Sequence, residues 1–235
     1  MTKTKAHQGF INLFIKFGDS MYLERLMNQG EIYLNTVEWF KMYETNKERK
    51  DTDEGIIQIE QIKKIIIKIE DGPEITFSKD SQINQLSDAR LKMWYDKPLG
   101  NIYSLFAISR NIDEKLISTE INPRNTELGD SFLIIHNANE FLTRVVTKLN
   151  QLNYIFRYGM VSYYDLYKHS GELGIFHKPQ SYAHQREFRI HVENTDGKPI
   201  VFQIGSIKDI AVLLHKNQLK LLRFKKIKYN YPFMD

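Results

Sequence analysis

Apolar and polar positions fall in short blocks along the chain, and strand-like blocks outnumber helical ones. Phe10 to Phe17 (FINLFIKF) reads as a buried strand that ends at the turn Gly18-Asp19-Ser20. Asp19 or Ser20 then caps a helix with Leu23, Leu26 and Met27 on its apolar face, and Gly30 stops it before a strand from Glu31 to Leu34. Thr36 caps a further short helix through Trp39, Phe40 and Tyr43. Three consecutive strands are predicted between Gly55 and Lys79, with Asp71-Gly72-Pro73 as a turn. Strands at Asn101 to Ser109 and Ser131 to Ile135 follow. Asn137 and Glu140 open the clearest helix in a capping-box-like arrangement, with Phe141, Leu142, Val145, Val146 and Leu149 along one face. Strands return at Tyr154 to Tyr164, Glu187 to Val192 and Pro199 to Ile204, the last two joined as a hairpin at Asp196-Gly197. Ile207 to Leu214 reads as a short helix leading to a strand, and Leu221 to Lys228 as a basic terminal strand.

Strands that pair with their sequence neighbours, interrupted by a few helices, specify an α+β domain on a mostly antiparallel sheet. At 42% apolar side chains the 235 residues suffice to bury one full core, so a single domain over 1–235 is expected. No window approaches the roughly 18 apolar residues of a membrane span, and the first residues hold no apolar run of secretory length. A cytoplasmic location without membrane contact follows as an expectation. The absence of cysteine excludes disulfides, zinc–thiolate sites, iron–sulfur clusters and cysteine nucleophiles. A net charge of +4 permits contact with RNA or other polyanions without requiring it.

The common phosphate-binding, nucleophile-elbow and metalloprotease motifs are missing. His169, His177, His184 and His191 lie close in sequence, but their spacing matches no ligand pattern, so no metal is expected. The mixed-charge stretch Glu44 to Glu54 reads as a solvated loop. Arg223, Lys225, Lys226 and Lys228, interleaved with aromatic residues, suit either a single-strand nucleic-acid surface or a basic edge strand that discourages aggregation.

The segment from His177 to Arg189 is a polar loop running into a strand, and it contains Gln185-Arg186-Glu187. Gln-x-Glu also occurs at Gln29 to Glu31 and Gln58 to Glu60, so position singles out the third copy. The order of Phe14 to Ser20, Gly30, Ile32 to Thr36 and the late Gln185-Arg186-Glu187 resembles the ADP-ribosyltransferase fold. Lys16 to Glu44 and Phe176 to Ile190 are also similar to an uncharacterised bacterial family often found near phage-defence genes. Leu105 to Ser109 and Ile204 to Ile210 add to that similarity, which covers about half the chain.

The resemblance implies a strongly bent, mostly antiparallel sheet with a few packed helices and NAD as substrate. Catalysis would fall to Glu187, stabilising the positive charge that develops on the ribose, and to Gln185, two residues earlier on the same face of an extended segment, orienting the acceptor. Tyr33 would stack on the nicotinamide, with Thr36 and Gly18 near the ribose or amide. Lys16 stands where transferases of that fold carry His or Arg, and supplies a point charge in place of a planar fork. The implied acceptor is RNA or protein, and an antitoxin partner is conceivable for a toxin-type effector. The residues alone also allow Glu187 and Arg189 as a charged pair on the solvent face of an edge strand, Tyr33 as core, and a non-catalytic nucleic-acid- or protein-binding module.

Overall fold

The computed structural model describes residues 9–111 and 121–224. The opening unit is β1 (Gly9–Gly18), α1 (Ser20–Gln29), β2 (Glu31–Thr36) and α2 (Val37–Met42), in the order predicted. Leu23 and Leu26 are the buried face of α1, and two such side chains removed from water contribute about 1.5–3 kcal/mol each. Asp19 occupies the N-cap position of α1 without a side-chain bond; the Ser20 N–H donates instead to Asp130 Oδ1, at 2.8 Å. Gly30 takes the left-handed conformation (φ 65°) that closes α1. Thr36 Oγ1 accepts from the Trp39 N–H and starts α2.

The expected trio β3 (Ile56–Ile62), β4 (Lys64–Lys68) and β5 (Glu74–Ser78) is present, joined by an unforeseen strand, β6 (Ala89–Trp94). β3 pairs with β6, while β4 and β5 form a separate hairpin. The chain continues through β7 (Asn101–Asn111), β8 (Ser131–Ile135), α3 (Ala138–Gln151), β9 (Phe156–Met160), β10 (Ser162–Tyr164), β11 (Gly171–Glu172) and β12 (His177–Pro179). It ends in β13 (Glu187–Val192), β14 (Ile200–Gln203) and β15 (Ala211–His215). Asn137 caps α3 by accepting from the Glu140 N–H, as predicted; the Glu140 carboxylate pairs with Arg144 rather than reaching back.

The main sheet runs β9-β13-β7-β1-β8-β15, with β2 joining the start of β7 beside β1 and β14 outside β2. Its pairings are antiparallel, whereas the short pair β10 and β12 is parallel. The sequence is therefore right about an α+β, mostly antiparallel domain and wrong about several neighbours. β13 and β14 do not form a hairpin. Asn101 Nδ2 donates to both Leu34 O and Lys198 O, which draws the approach to β14 onto β2. Residues 207–210 form turns rather than a helix. Lys216–Leu221 is a short 3₁₀ helix where the terminal strand was expected to begin, and Lys225, Lys226 and Lys228 lie outside the described residues. Among the described residues no helix is long and apolar enough to cross a membrane.

β13 sits between β7 and β9, and every one of its side chains is buried. Strand alternation separates them. Phe188, Ile190 and Val192 join the main core with Phe14, Leu105 and the Phe141, Val145 and Leu149 face of α3. Glu187, Arg189 and His191, the alternate positions, are buried without belonging to that core. β13 is thus an interior strand, which overturns the reading of Glu187 and Arg189 as a solvent-facing edge pair.

Candidate functional site

Arg189, a polar position of β13, is held in part by a segment expected to be solvated. Residues 44–54 bury Glu44, Glu48, Asp51 and Glu54 and leave Thr45, Lys47 and Thr52 outside. The spacing of those acids, four then three then three, is helical and puts them on one side of a turn-rich segment. Each end of the segment is pinned. Asn46 and Arg49 donate to Glu127 O and Leu128 O. Glu48 takes Arg124 on Oε1 and His184 on Oε2, both at 2.7 Å. Tyr182 donates to Lys50 O, and Gln185 Nε2 to Glu48 O.

Arg189, 0% exposed, is the hub. Its guanidinium forks onto Glu54 (NH1 to Oε1, 2.6 Å; NH2 to Oε2, 3.1 Å), donates through Nε to Glu187 Oε1 at 2.7 Å, and reaches Ile175 O. Glu187 Oε1 also accepts from Ser104 Oγ at 2.6 Å, and Glu187 Oε2 meets Lys178 Nζ at 2.9 Å. Burial alone would push the Glu187 carboxyl up, but Arg189 and Lys178 outweigh it and hold the group far below the usual carboxylate range. Glu187 is therefore ionised at neutral pH. Among the described residues Oε1 has two donors and Oε2 one, so Oε2 retains a place for a further donor.

Glu54, Arg189, Glu187 and Lys178 line a cavity of about 540 Å³, within the range of about 300–1,000 Å³ usual for small-molecule sites. Lys16, Gly18 and Tyr33 line it as well, beside Tyr22, Trp39, Phe40 and Tyr103. β1 and β13 meet opposite sides of β7 at Phe106, whose partners are Ile15 and Glu187. Ser104, on β7, then couples the two: its carbonyl accepts from Lys16 Nζ at 2.8 Å while its hydroxyl serves Glu187. Gly129 lies against the backbone of Gly18, where an added Cβ would come within 2.1 Å, so glycine at 129 is what lets the end of β1 sit there.

Lys16, Gly18, Tyr33, Gln185 and Glu187 are thus brought to one cavity. Tyr33 is 49% exposed and is not core. Thr36 does not line the cavity, since its hydroxyl caps α2. Gln185 closes a 3₁₀ helix (Gln180–Gln185) rather than an extended segment, and left-handed Arg186 (φ 41°) separates it from β13. Its amide is engaged at both ends, accepting from Lys178 and donating to Glu48 O, and so helps to hold the floor together. Arg223 does not line the cavity and bonds Lys220 O and Leu222 O.

Ser104, Lys178, Glu54 and Arg189 were not singled out from the sequence as parts of a site. The helical spacing of the acids in 44–54 was the available signal for Glu54. Arg189, two residues beyond Glu187 on the same strand face, was the signal for the hub. Ser104 has none, because its role depends on β7 running between β1 and β13. Compared with protein-family models, with curated proteins and with solved structures, the chain matches none.

Proposed function

We propose that this cavity takes NAD and that the protein is an ADP-ribosyltransferase-like effector, of the phage-defence or toxin type, modifying RNA or protein. The observation that carries the reading is the convergence of Lys16 and Tyr33, from the first two strands, with an ionised Glu187 from a strand late in the chain. Cleaving the nicotinamide–ribose bond builds positive charge on the ribose ring, and a fixed carboxylate accepting a ribose hydroxyl stabilises that charge. Glu187 Oε2 retains a lone pair for that hydroxyl, while Arg189, Ser104 and Lys178 fix the carboxylate and spare it reorganisation. Tyr33 offers an exposed ring for the nicotinamide. Lys16 supplies positive charge beside it, and Arg49 on the same wall adds to that field.

Release of nicotinamide from NAD, with and without an RNA or protein acceptor, tests the reading. Glu187→Gln is expected to lower turnover by about 10²–10³-fold, with thermal unfolding showing that the variant is folded. Tyr33→Ala, at an exposed position, gives a second variant free of the buried network and should raise KM. Absence of nicotinamide release from the wild type, or unchanged turnover in folded Glu187→Gln, would overturn it.

A further inference from the structure

The hairpin of β4 and β5 lines no part of the cavity and exposes apolar side chains beside an open strand edge. Ile65, Ile67 and Ile69 are 37%, 47% and 50% exposed. Ile65 lies opposite Phe77 and Ile67 opposite Ile75, so these four residues share one face. The Lys79 N–H donates to Lys63 O at 3.3 Å. Alternation from that bond turns the N–H and C=O groups of Ile65 and Ile67 towards β5, and those of Lys64, Ile66 and Lys68 away from it. β5 is covered on its far side at Ser78, which donates to Asn84 O and accepts from the Leu86 N–H. Among the described residues no strand pairs with the far side of β4. A two-stranded hairpin is marginal in water, and an open apolar edge is a template for a further strand.

Charge selects which strand that is. From Lys63 to Glu74 the hairpin carries three lysines and three acids, all exposed. They are separated along it, with Lys63 and Lys64 at the start of β4 and Glu70, Asp71 and Glu74 around the turn. An anionic lipid surface would be repelled by the acidic end. A second β4 running antiparallel is attracted at both ends. Two registers set the middle of β4 against itself. With Ile66 opposite its own copy, Lys64 meets Lys68 at each end, and like charges directly opposite destabilise a pair. With Ile67 opposite its own copy, Ile65 meets Ile69 and Lys64 meets Glu70, each contact occurring twice by symmetry.

We infer that a second copy of this chain covers the open edge of β4, the two strands pairing antiparallel with Ile67 at the two-fold axis. The hairpins then form a four-stranded sheet, with Ile65, Ile67, Ile75 and Phe77 of both copies on one side. The seam is short and falls below the roughly 1,200 Å² of stable interfaces, so the dimer dissociates on dilution.

Sedimentation equilibrium of the full chain tests this, with Lys64→Glu and Glu70→Lys run separately and then mixed. Wild type is expected to pass from the 27.8 kDa monomer towards twice that mass as its concentration rises from about 5 to about 500 µM. Each single variant sets like charges together at both ends of the seam and should associate about tenfold more weakly. Mixed in equal amounts, the two should recover the wild-type strength, because opposite charges then meet at both ends. Wild type that stays monomeric, including one that floats with phosphatidylglycerol vesicles instead, overturns the proposal. So do single variants that associate as strongly as wild type, or a mixture no stronger than its components. None of these readings involves NAD.

Discussion

Residues 44–54 bury Glu44, Glu48, Asp51 and Glu54 under the sheet, while β4, a few residues on, leaves Ile65, Ile66 and Ile67 between 37% and 50% exposed. Hydropathy alone would exchange the two environments. What decides is the supply of partners. The acidic segment meets Arg189, Arg124, His184 and backbone N–H groups, which give every carboxylate it buries at least one partner. Among the described residues β4 pairs with β5 alone, and a two-stranded hairpin has no second layer to cover its isoleucines. Charge is interior here because Arg189 is shared between Glu54 and Glu187, so that the buried cation and the two buried carboxylates hold one another.

The largest effect that separates the regions should come from Arg189→Ala. Two carboxylates, Glu54 and Glu187, would be left buried without their shared cation, and urea unfolding should register a loss of about 3–5 kcal/mol. A loss below about 1 kcal/mol would mean that the segment 44–54 is not anchored through this hub.

A smaller effect is expected at Asp51, whose Oδ2 is buried without a partner. Burial, reinforced by Glu54, raises its carboxyl from 3.8 to about 7. An acid whose pKa is raised on folding holds its proton more tightly in the folded chain, so its contribution to stability falls as pH rises from about 4 to about 7. Asp51→Asn removes that slope and should be on the order of 2 kcal/mol more stable, relative to wild type, at pH 8 than at pH 4. Parallel wild-type and variant curves of Tm against pH would contradict it. The smallest effect belongs to the hairpin: Ile66→Thr should change stability by no more than about 0.5 kcal/mol in the same urea assay. A loss comparable to a core substitution would show that β4 packs against something.

The parts of the fold that were legible in the sequence are those governed by local chemistry. Gly30 could be read as a helix stop, Thr36 and Asn137 as caps, and the apolar runs of β1 and β13 as strands, because each signal lies within a few residues of its effect. The pairing of β14 with β2 was not legible, since Asn101 enforces it from far along the chain. β6 (ARLKMW) escaped because its apolar positions are too sparse to mark a strand. Of the candidate site, Lys16, Gly18, Tyr33, Gln185 and Glu187 line one cavity, whereas Thr36 does not and its hydroxyl caps α2. The floor itself was missed because a run of charges says nothing about whether oppositely charged partners wait beneath it.

The most direct measurement is a calorimetric titration of the full chain with NAD, repeated for Tyr33→Ala and Ile66→Thr. Saturable one-to-one binding is expected, weakened about tenfold by Tyr33→Ala, the equivalent of about 1.4 kcal/mol, and unchanged by Ile66→Thr. No heat of binding to the wild type, or equal affinity in Tyr33→Ala, would contradict the assignment of this cavity to NAD.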